Sequence, residues 1–131
     1  MNAINLLIAV DIDNLRQELR TVLELAGQEI GMEICVLGEA NNGQEAAMLA
    51  RELQPDVVII DLEMSVIDGF TSIEVIKSFC PSTQVLVLSL HDDQAVRQRA
   101  GQAGADGFIV KGSPVSEIIQ HIKSFTREEY S

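Results

Sequence analysis

Four polar or charged residues each stand directly after a short, uninterrupted run of apolar residues. They are Asp11, Asp61, Ser89 and Lys111, which follow residues 4–10 (apolar without interruption from Leu6 onward), 57–60, 85–88 and 108–110 respectively. Two carboxylates are suitable ligands for a hard divalent cation such as Mg²⁺. A lysine and a hydroxyl complement a phosphoryl group by charge and hydrogen bonding. If these side chains meet, one carboxylate can accept a phosphoryl group, because the metal and the lysine neutralise charge on the group being transferred.

The apolar runs are predicted to be β-strands, and helices are predicted between them. Uninterrupted runs of this length are typical of strands buried on both faces of a parallel sheet, and a further run at residues 33–38 brings their number to five. Helical patterns alternate with the runs, beginning with the apolar stripe Leu15, Leu19, Val22 and Leu23. This alternation predicts an α/β fold, a doubly wound five-stranded parallel sheet with helices on both faces.

The order of the strands decides whether the four polar residues meet. The flavodoxin-like order 2-1-3-4-5 is the one expected for a sheet in a chain of this size. Strands one, three, four and five are then neighbours, and their carboxyl ends lie at one edge. Taken alone, Asp61 is equally well explained as a cap of the loop that follows it. Polar groups at the ends of all four strands are not expected by chance, so we predict a shared site.

Composition limits the classes of function. The chain has 131 residues, enough for one domain, and a formal net charge of −11. A negative field repels phosphate backbones and anionic membranes, so this segment is not expected to bind nucleic acid or membranes directly. Cys35 and Cys80 lack metal-ligand spacing and are expected to be free thiols in a reducing compartment. No apolar run is long enough for a signal peptide or a transmembrane helix, so we expect a cytoplasmic protein.

These motifs, in this order and at these separations, resemble the receiver domains of two-component response regulators. The resemblance is carried by Asp11, by Pro-Asp-Val-Val-Ile-Ile-Asp-Leu-Glu-Met-Ser-Val-Ile-Asp-Gly at 55–69, by Val-Leu-Ser at 87–89 and by Gly-Ala-Asp-Gly-Phe-Ile-Val-Lys at 104–111. The stretches at 38–43 and 111–114 look most like the NarL-type subfamily. The resemblance implies a receiver domain over residues 1–126, with 127–131 as a polar tail or the start of a linker.

The resemblance implies a phosphoacceptor and a metal site. Asp61 would accept the phosphoryl group. Mg²⁺ would be held by Asp11, by Asp61 and by the main-chain carbonyl of Glu63. Lys111 would pair with the phosphoryl oxygens. Beyond self-catalysed phosphotransfer and autodephosphorylation, no enzymatic activity is implied.

The resemblance also implies a conformational switch. Ser89 would turn toward the phosphoryl group, and Phe108 would change its rotamer in concert, so that a new charge biases a two-state element. Glu63 and His91 stand where the family controls access of the hydrolytic water, and we expect both to tune the lifetime of the aspartyl phosphate. Asp13 is a candidate for an outer contact to the metal.

The implied partners are a sensor histidine kinase or a phosphotransfer protein. The output surface would be formed by the fourth helix, the fifth strand and the fifth helix, or by its neighbour, and the expected process is transcription regulation. NarL-type receivers usually precede a helix-turn-helix domain, so contact with DNA would come through such a domain after this segment. Homodimer formation is left open by the sequence.

Four residues depart from the usual receiver pattern. Val10 stands where receivers usually have a first acid at the end of strand one, and Ser65 stands where a proline usually shapes the loop. Leu90 follows the switch hydroxyl, where a small residue is usual, and is expected to restrict access to the site. Gly112 replaces a common proline after the lysine.

Two alternatives stay open at this point. Val10 and Leu90 favour a degenerate receiver that acts as a phosphorylation-independent binding module. The Asp11–Asp13 pair resembles the opening motif of haloacid-dehalogenase-type phosphatases, in which Asp11 would be the nucleophile and Asp13 the general acid/base. That alternative leaves Asp61 unexplained.

Overall fold

Strands and helices alternate along the chain in the computed structural model, which describes residues 3–10, 13–63 and 69–126. The strands are β1 (Ala3–Ala9), β2 (Glu33–Ala40), β3 (Val57–Asp61), β4 (Gln84–Ser89) and β5 (Gly107–Val110). The helices are α1 (Asp13–Glu29), α2 (Gly43–Leu53), α3 (Gly69–Phe79), α4 (Gln94–Ala103) and α5 (Val115–Thr126). Within these ranges, no helix has both the length and the apolar character needed to cross a membrane.

The strands form one parallel sheet in the order β2-β1-β3-β4-β5. The predicted α/β fold with a doubly wound sheet of flavodoxin-like order is therefore confirmed. Because every strand runs in the same direction, the carboxyl ends of β1, β3, β4 and β5 lie side by side along one edge. That edge is where open α/β sheets place their binding sites.

Alternate strand residues pack on opposite faces of the sheet, and each face has its own helices. Leu6 and Ile8 of β1 belong to the cluster that includes residues of α1 and α5. Leu7 and Ala9 belong to the cluster that includes residues of α2, α3 and α4. Each fully buried Leu or Ile side chain contributes about 2 kcal/mol to folding. Helices on both faces explain why the strand sequences stay apolar until their ends.

Three strands are longer at the carboxyl end than the apolar runs predict, and β2 extends to Ala40. Asp61 is the last residue of β3 and Ser89 is the last residue of β4. The chain that follows stays hydrogen-bonded as well, because the N–H of Leu62 donates to a carbonyl of β4 at 3.0 Å and the N–H of Lys111 donates to the Ser89 carbonyl at 2.8 Å. The sheet therefore fixes the backbone of these residues.

Side-chain hydrogen bonds cap the start of α2, with one difference from a standard capping box. Asn42 is the N-cap, and its Oδ1 accepts a hydrogen bond from the N–H of Glu45 at 2.8 Å. The Glu45 carboxylate accepts in return from the N–H of Asn41 at 3.1 Å, one residue earlier than in a standard capping box. Gln54 closes the helix in the left-handed conformation, with φ of 49°, and Pro55 follows it.

An arginine network ties α1 to the carboxyl ends of β1 and β2. Arg16 donates to the carbonyl of Val10 at 2.7 Å and to Oε1 of Glu39 at 3.0 Å. Arg20 donates to Oε2 of the same carboxylate at 2.8 Å. Partial burial opposes ionisation of Glu39, but the hydrogen bonds and charges of Arg20 and Arg16 outweigh it and lower the pKa of Glu39 below its ordinary value.

Replacing Glu39 with glutamine should lower the free energy of unfolding by about 1 kcal/mol at neutral pH, because two guanidinium groups lose a charged acceptor. The lowered pKa means that this contribution is complete above the ordinary value of 4.5 and is lost as the pH falls through the folded-state pKa. Urea unfolding of both proteins at neutral pH and near pH ~3 measures it. A difference that is the same at the two pH values would contradict the assignment.

Candidate functional site

The carboxyl edge of the sheet brings together three of the four residues that follow the apolar runs. In the strand pairing, Asp61 lies opposite Leu88, and Ser89 lies opposite Val110, the residue before Lys111. Both Asp61 and Ser89 are buried, at 1% and 0% exposure. The three side chains therefore share one partly enclosed site at the ends of β3, β4 and β5.

An ion pair joins the two charged members of this site. Lys111 Nζ lies 2.7 Å from Oδ1 of Asp61, and the lysine side chain is 17% exposed. The N–H of Glu63 donates to the same oxygen at 2.8 Å. Within the described part of the chain, the contacts of the Asp61 carboxylate thus fall on Oδ1.

Glu63 adds a second carboxylate to the site. Its Oε2 accepts a hydrogen bond from Ser89 Oγ at 2.8 Å, and its Oε1 accepts one from the N–H of Leu90 at 2.7 Å. Lys111 Nζ lies 3.2 Å from Oε1. Burial opposes ionisation, but these donors outweigh it, so that the pKa of Glu63 lies below its ordinary value. The carboxylate is therefore anionic at neutral pH.

Lys111 is held between two carboxylates. Partial burial favours the neutral amine, but the hydrogen bonds and charges of Asp61 and then Glu63 outweigh it and raise the pKa of Lys111. The ammonium form is accordingly retained at every physiological pH. Its position, in contact with both acids, lets it neutralise the charge of whatever anion occupies the site.

The residues predicted for the switch lie beside this cluster. Ser89 Oγ, besides donating to Glu63, accepts the N–H of His91 at 3.0 Å, while the His91 residue itself is exposed. The ring of Phe108 on β5 lies under the guanidinium of Arg97, 4.6 Å from its centroid. Arg97 Nε in turn donates to Asp92 at 2.6 Å. Phe108 is thereby connected to α4 and to the loop before it.

Two of the predicted metal-site residues cannot be placed in the cluster. Asp11 lies outside the described residues, and Asp13 is located only as the first residue of α1. In the part of the chain that the structure describes, no three His, Cys, Asp or Glu residues are grouped to hold a metal ion. The oxygen donors present, the Asp61 carboxylate and the main-chain carbonyl of Glu63, are of the type that Mg²⁺ prefers. Oxygen donors of this type fit a hard cation.

The structure describes three of the four residues that depart from the usual receiver pattern. The Leu90 side chain is 64% exposed, and the expected restriction of access to the site stays a prediction. Gly112 has φ of 92°, which proline cannot adopt because its ring fixes φ near −65°. Val10 is buried in the core, and its carbonyl accepts from Arg16. Ser65 lies outside the described residues.

Sequence reasoning missed two participants in the site. One is the main-chain N–H of Leu90, which the pattern hides because any residue type can supply it. The other is Arg97, whose stacking on Phe108 depends on the rotation of α4 about its axis. The sequence signal for such a contact is weak. It consists of a cationic residue three to four positions after a helix N-cap, together with an aromatic residue in the following strand.

Comparison with known proteins agrees with this architecture. The family model for the response regulator receiver domain matches residues 6–123. The transcriptional regulatory protein LnrK of Bacillus subtilis (strain 168) is 34% identical over 119 residues, which cover 91% of this chain and 52% of LnrK. The chemotaxis protein CheY of Thermotoga maritima is 32% identical over 121 residues, which cover 92% of this chain and 96% of CheY.

Solved structures give the same result. The signal receiver domain of NarL from Mycobacterium tuberculosis superposes with a TM-score of 0.86 at 29% identity, covering 97% of this chain and 98% of that one. The fold is that of a receiver, and the chain belongs to the response regulator receiver domain family. Receiver domains are signalling domains and not conventional enzymes. The NarL-type assignment is confirmed, although the chain spans only about half the length of LnrK.

Replacing Lys111 with methionine should lower the free energy of unfolding by about 2 kcal/mol at neutral pH, because two neighbouring carboxylates lose their shared cation. The raised pKa of Lys111 means that its contribution is present below the ordinary value of 10.5 and is lost only as the pH rises through the folded-state pKa. The deficit should also shrink as the pH falls through the lowered folded-state pKa of Glu63, because the lysine then loses that charged partner.

Urea unfolding measures this effect, and Gln120→Met, which introduces the same side chain at an exposed position of α5, is the control. The control should change the free energy of unfolding by less than about 0.5 kcal/mol. Equal effects of the two substitutions would show that the Lys111 ion pairs contribute nothing specific.

Proposed function

We propose that the chain is a phosphorylation-dependent signalling switch that accepts a phosphoryl group on Asp61. The observation that supports this most directly is the buried Asp61 carboxylate, held through one oxygen by Lys111 at the end of β3. The hydroxyl of Ser89 and the N–H of Leu90 point into the same cluster. An ammonium, a hydroxyl and an amide are the donors that stabilise charge on a phosphoryl group during transfer.

The proposed transfer is a displacement at phosphorus. An Asp61 carboxylate oxygen attacks the phosphorus of a phosphohistidine, a new P–O bond forms, and the P–N bond breaks with its electron pair going to the imidazole nitrogen, which takes up a proton. Lys111 stays paired with the oxygens of the transferred group. Mg²⁺, held by Asp11, Asp61 and the Glu63 carbonyl, would supply further neutralisation of these oxygens. Hydrolysis reverses the modification when water attacks phosphorus and the carboxylate leaves.

The proposed output is a change at Ser89 and Phe108. Ser89 has one hydroxyl proton and would turn it from Glu63 to a phosphoryl oxygen. Phe108 would then change its rotamer and leave the guanidinium of Arg97, which is bonded to Asp92. That sequence would alter the surface made by α4, β5 and α5. His91 and Glu63, next to Ser89, would set how fast water reaches the aspartyl phosphate.

The proposed partners follow from the family and from charge. A sensor histidine kinase or a phosphotransfer protein would supply the phosphoryl group, and the domain would receive it in the cytoplasm. LnrK, which is about twice as long as the matched region, is a transcriptional regulatory protein, and we propose transcription regulation here too. With a net charge of −11, this segment would reach DNA only through a further helix-turn-helix domain. A homodimer formed on phosphorylation is compatible with this role.

One observation favours a second candidate function, the phosphorylation-independent binding module. Glu63 already occupies the donors of Ser89, Leu90 and Lys111 without any phosphoryl group. A domain held permanently in that state would bind its partner constitutively. The phosphatase alternative, with Asp11 and Asp13 as catalytic pair, gains no support from the described residues.

Incubation with acetyl phosphate and Mg²⁺ tests the first candidate. The parent protein should gain the mass of one phosphoryl group, as acetate leaves with the electron pair of the broken P–O bond. Asp61→Asn should gain none, because an amide oxygen is a poor nucleophile, and chelation of Mg²⁺ should abolish the reaction. Glu74→Gln, which removes one exposed acid on α3, should react as the parent does. An unmodified parent would move the assignment to the binding module.

Fluorine NMR tests the proposed switch, because the chain contains four phenylalanines that can be labelled together. Phosphorylation should shift the Phe108 resonance strongly, since its ring leaves the Arg97 guanidinium, while Phe79 beside Arg51 should hardly move. Phe108→Leu identifies the resonance. A phosphorylated protein in which the Phe108 resonance stays in place would contradict its role in the switch.

A further inference from the structure

Three hydrogen-bond donors converge on the Glu63 carboxylate from the ends of two strands. Ser89 Oγ and the N–H of Leu90 come from the end of β4, at 2.8 Å and 2.7 Å, and Lys111 Nζ comes from the end of β5, at 3.2 Å. A hydroxyl, a main-chain amide and an ammonium together form a binding site for an oxyanion. In this structure the oxyanion is a side chain of the same protein.

Glu63 and a phosphoryl group cannot use all of these donors at the same time, because the donors carry too few protons. The Ser89 hydroxyl and the Leu90 amide each carry one proton and can donate it fully to one acceptor at a time. The lysine ammonium carries three protons and already contacts both Asp61 and Glu63. A phosphoryl group on Asp61 can therefore use the lysine freely, but it gains the hydroxyl and the amide only after the Glu63 carboxylate has left them.

The contacts also show how the carboxylate can leave. The N–H of Glu63 is bonded separately to Asp61 Oδ1, so the backbone can stay in place while the side chain rotates. The Glu63 side chain is 26% exposed, so water is available to the carboxylate in its displaced position. Release thus requires a rotamer change of one side chain and no rearrangement of β3 or β4.

We propose that the Glu63 carboxylate is an internal competitor for the phosphoryl-binding donors, which slows phosphorylation of Asp61 and holds Ser89 engaged in the unmodified state. This inference rests on the proposed function and names a regulation of the same site. Its mechanism is occupancy of specific donors, which differs from a general repulsion between negative charges. The two explanations make opposite predictions for a variant that keeps the charge but shortens the side chain.

Three substitutions separate occupancy from repulsion in the acetyl phosphate reaction. Glu63→Asp keeps the charge, but a side chain shorter by one methylene cannot contact Ser89 and Leu90 together. Under occupancy, Glu63→Asp and Glu63→Ala should both be phosphorylated about tenfold faster than the parent, the equivalent of about one charge-assisted hydrogen bond. Glu63→Gln, which keeps the shape and one acceptor oxygen, should be accelerated less than Glu63→Ala. Glu74→Gln, which removes an exposed acid on α3, should react within about twofold of the parent.

Hydrogen exchange of the Leu90 amide gives a second readout that needs neither metal nor phosphoryl donor. Leu90 is exposed, so protection of its amide depends on the bond to Glu63 Oε1. The amide should be protected in the parent and should lose that protection in Glu63→Ala and in Glu63→Asp. Protection that is unchanged in both variants would overturn the proposed contact.

The outcomes also separate this inference from the proposed function. If the parent is phosphorylated on Asp61 and Glu63→Asp reacts at the parent rate, occupancy is overturned while the proposed function stands. If no variant is phosphorylated, the proposed function fails and the competition with it. If phosphorylation is barely detectable in the parent and readily detected in Glu63→Ala and Glu63→Asp, both proposals are supported.

Discussion

One ammonium group organises the carboxyl edge of this sheet. Lys111 Nζ contacts the carboxylates of Asp61 and Glu63, two like charges that would otherwise repel each other in a partly buried site. The lysine is the first residue after β5, and its N–H is bonded to the Ser89 carbonyl at the end of β4. The same residue therefore fixes the alignment of three strands and sets the charge of the site that they form.

A site of this kind requires a parallel sheet of this order. β3, β4 and β5 are neighbours that end at the same edge, so that an acid, a hydroxyl and a cation from distant parts of the sequence meet without a long loop. The neighbouring strand β5 contains Phe108 beneath Arg97, which joins the charge site to the α4 surface. The proposed phosphoacceptor on β3 and Phe108 on β5 are thereby separated by one strand only, β4.

The sequence predicts most of this arrangement, because it rests on two simple regularities. The hydrophobic pattern predicts the fold, with each strand end correct to within two residues. The strand order then predicts that Asp61, Ser89 and Lys111 meet. The occupation of the oxyanion donors by Glu63 is not predictable, since it depends on the rotamer of a side chain in a loop. The exposed orientation of Leu90 and the stacking of Arg97 likewise depend on local geometry that neither composition nor spacing contains.

The central claim is that the acid at the end of β3 carries the phosphoryl group. Borohydride reduction of the phosphorylated protein converts an aspartyl phosphate to homoserine, and peptide mass spectrometry then locates the modified position. The account predicts homoserine at Asp61 alone. Homoserine at Asp11 would instead support the phosphatase-like alternative and would contradict the assignment of Asp61 as the phosphoacceptor.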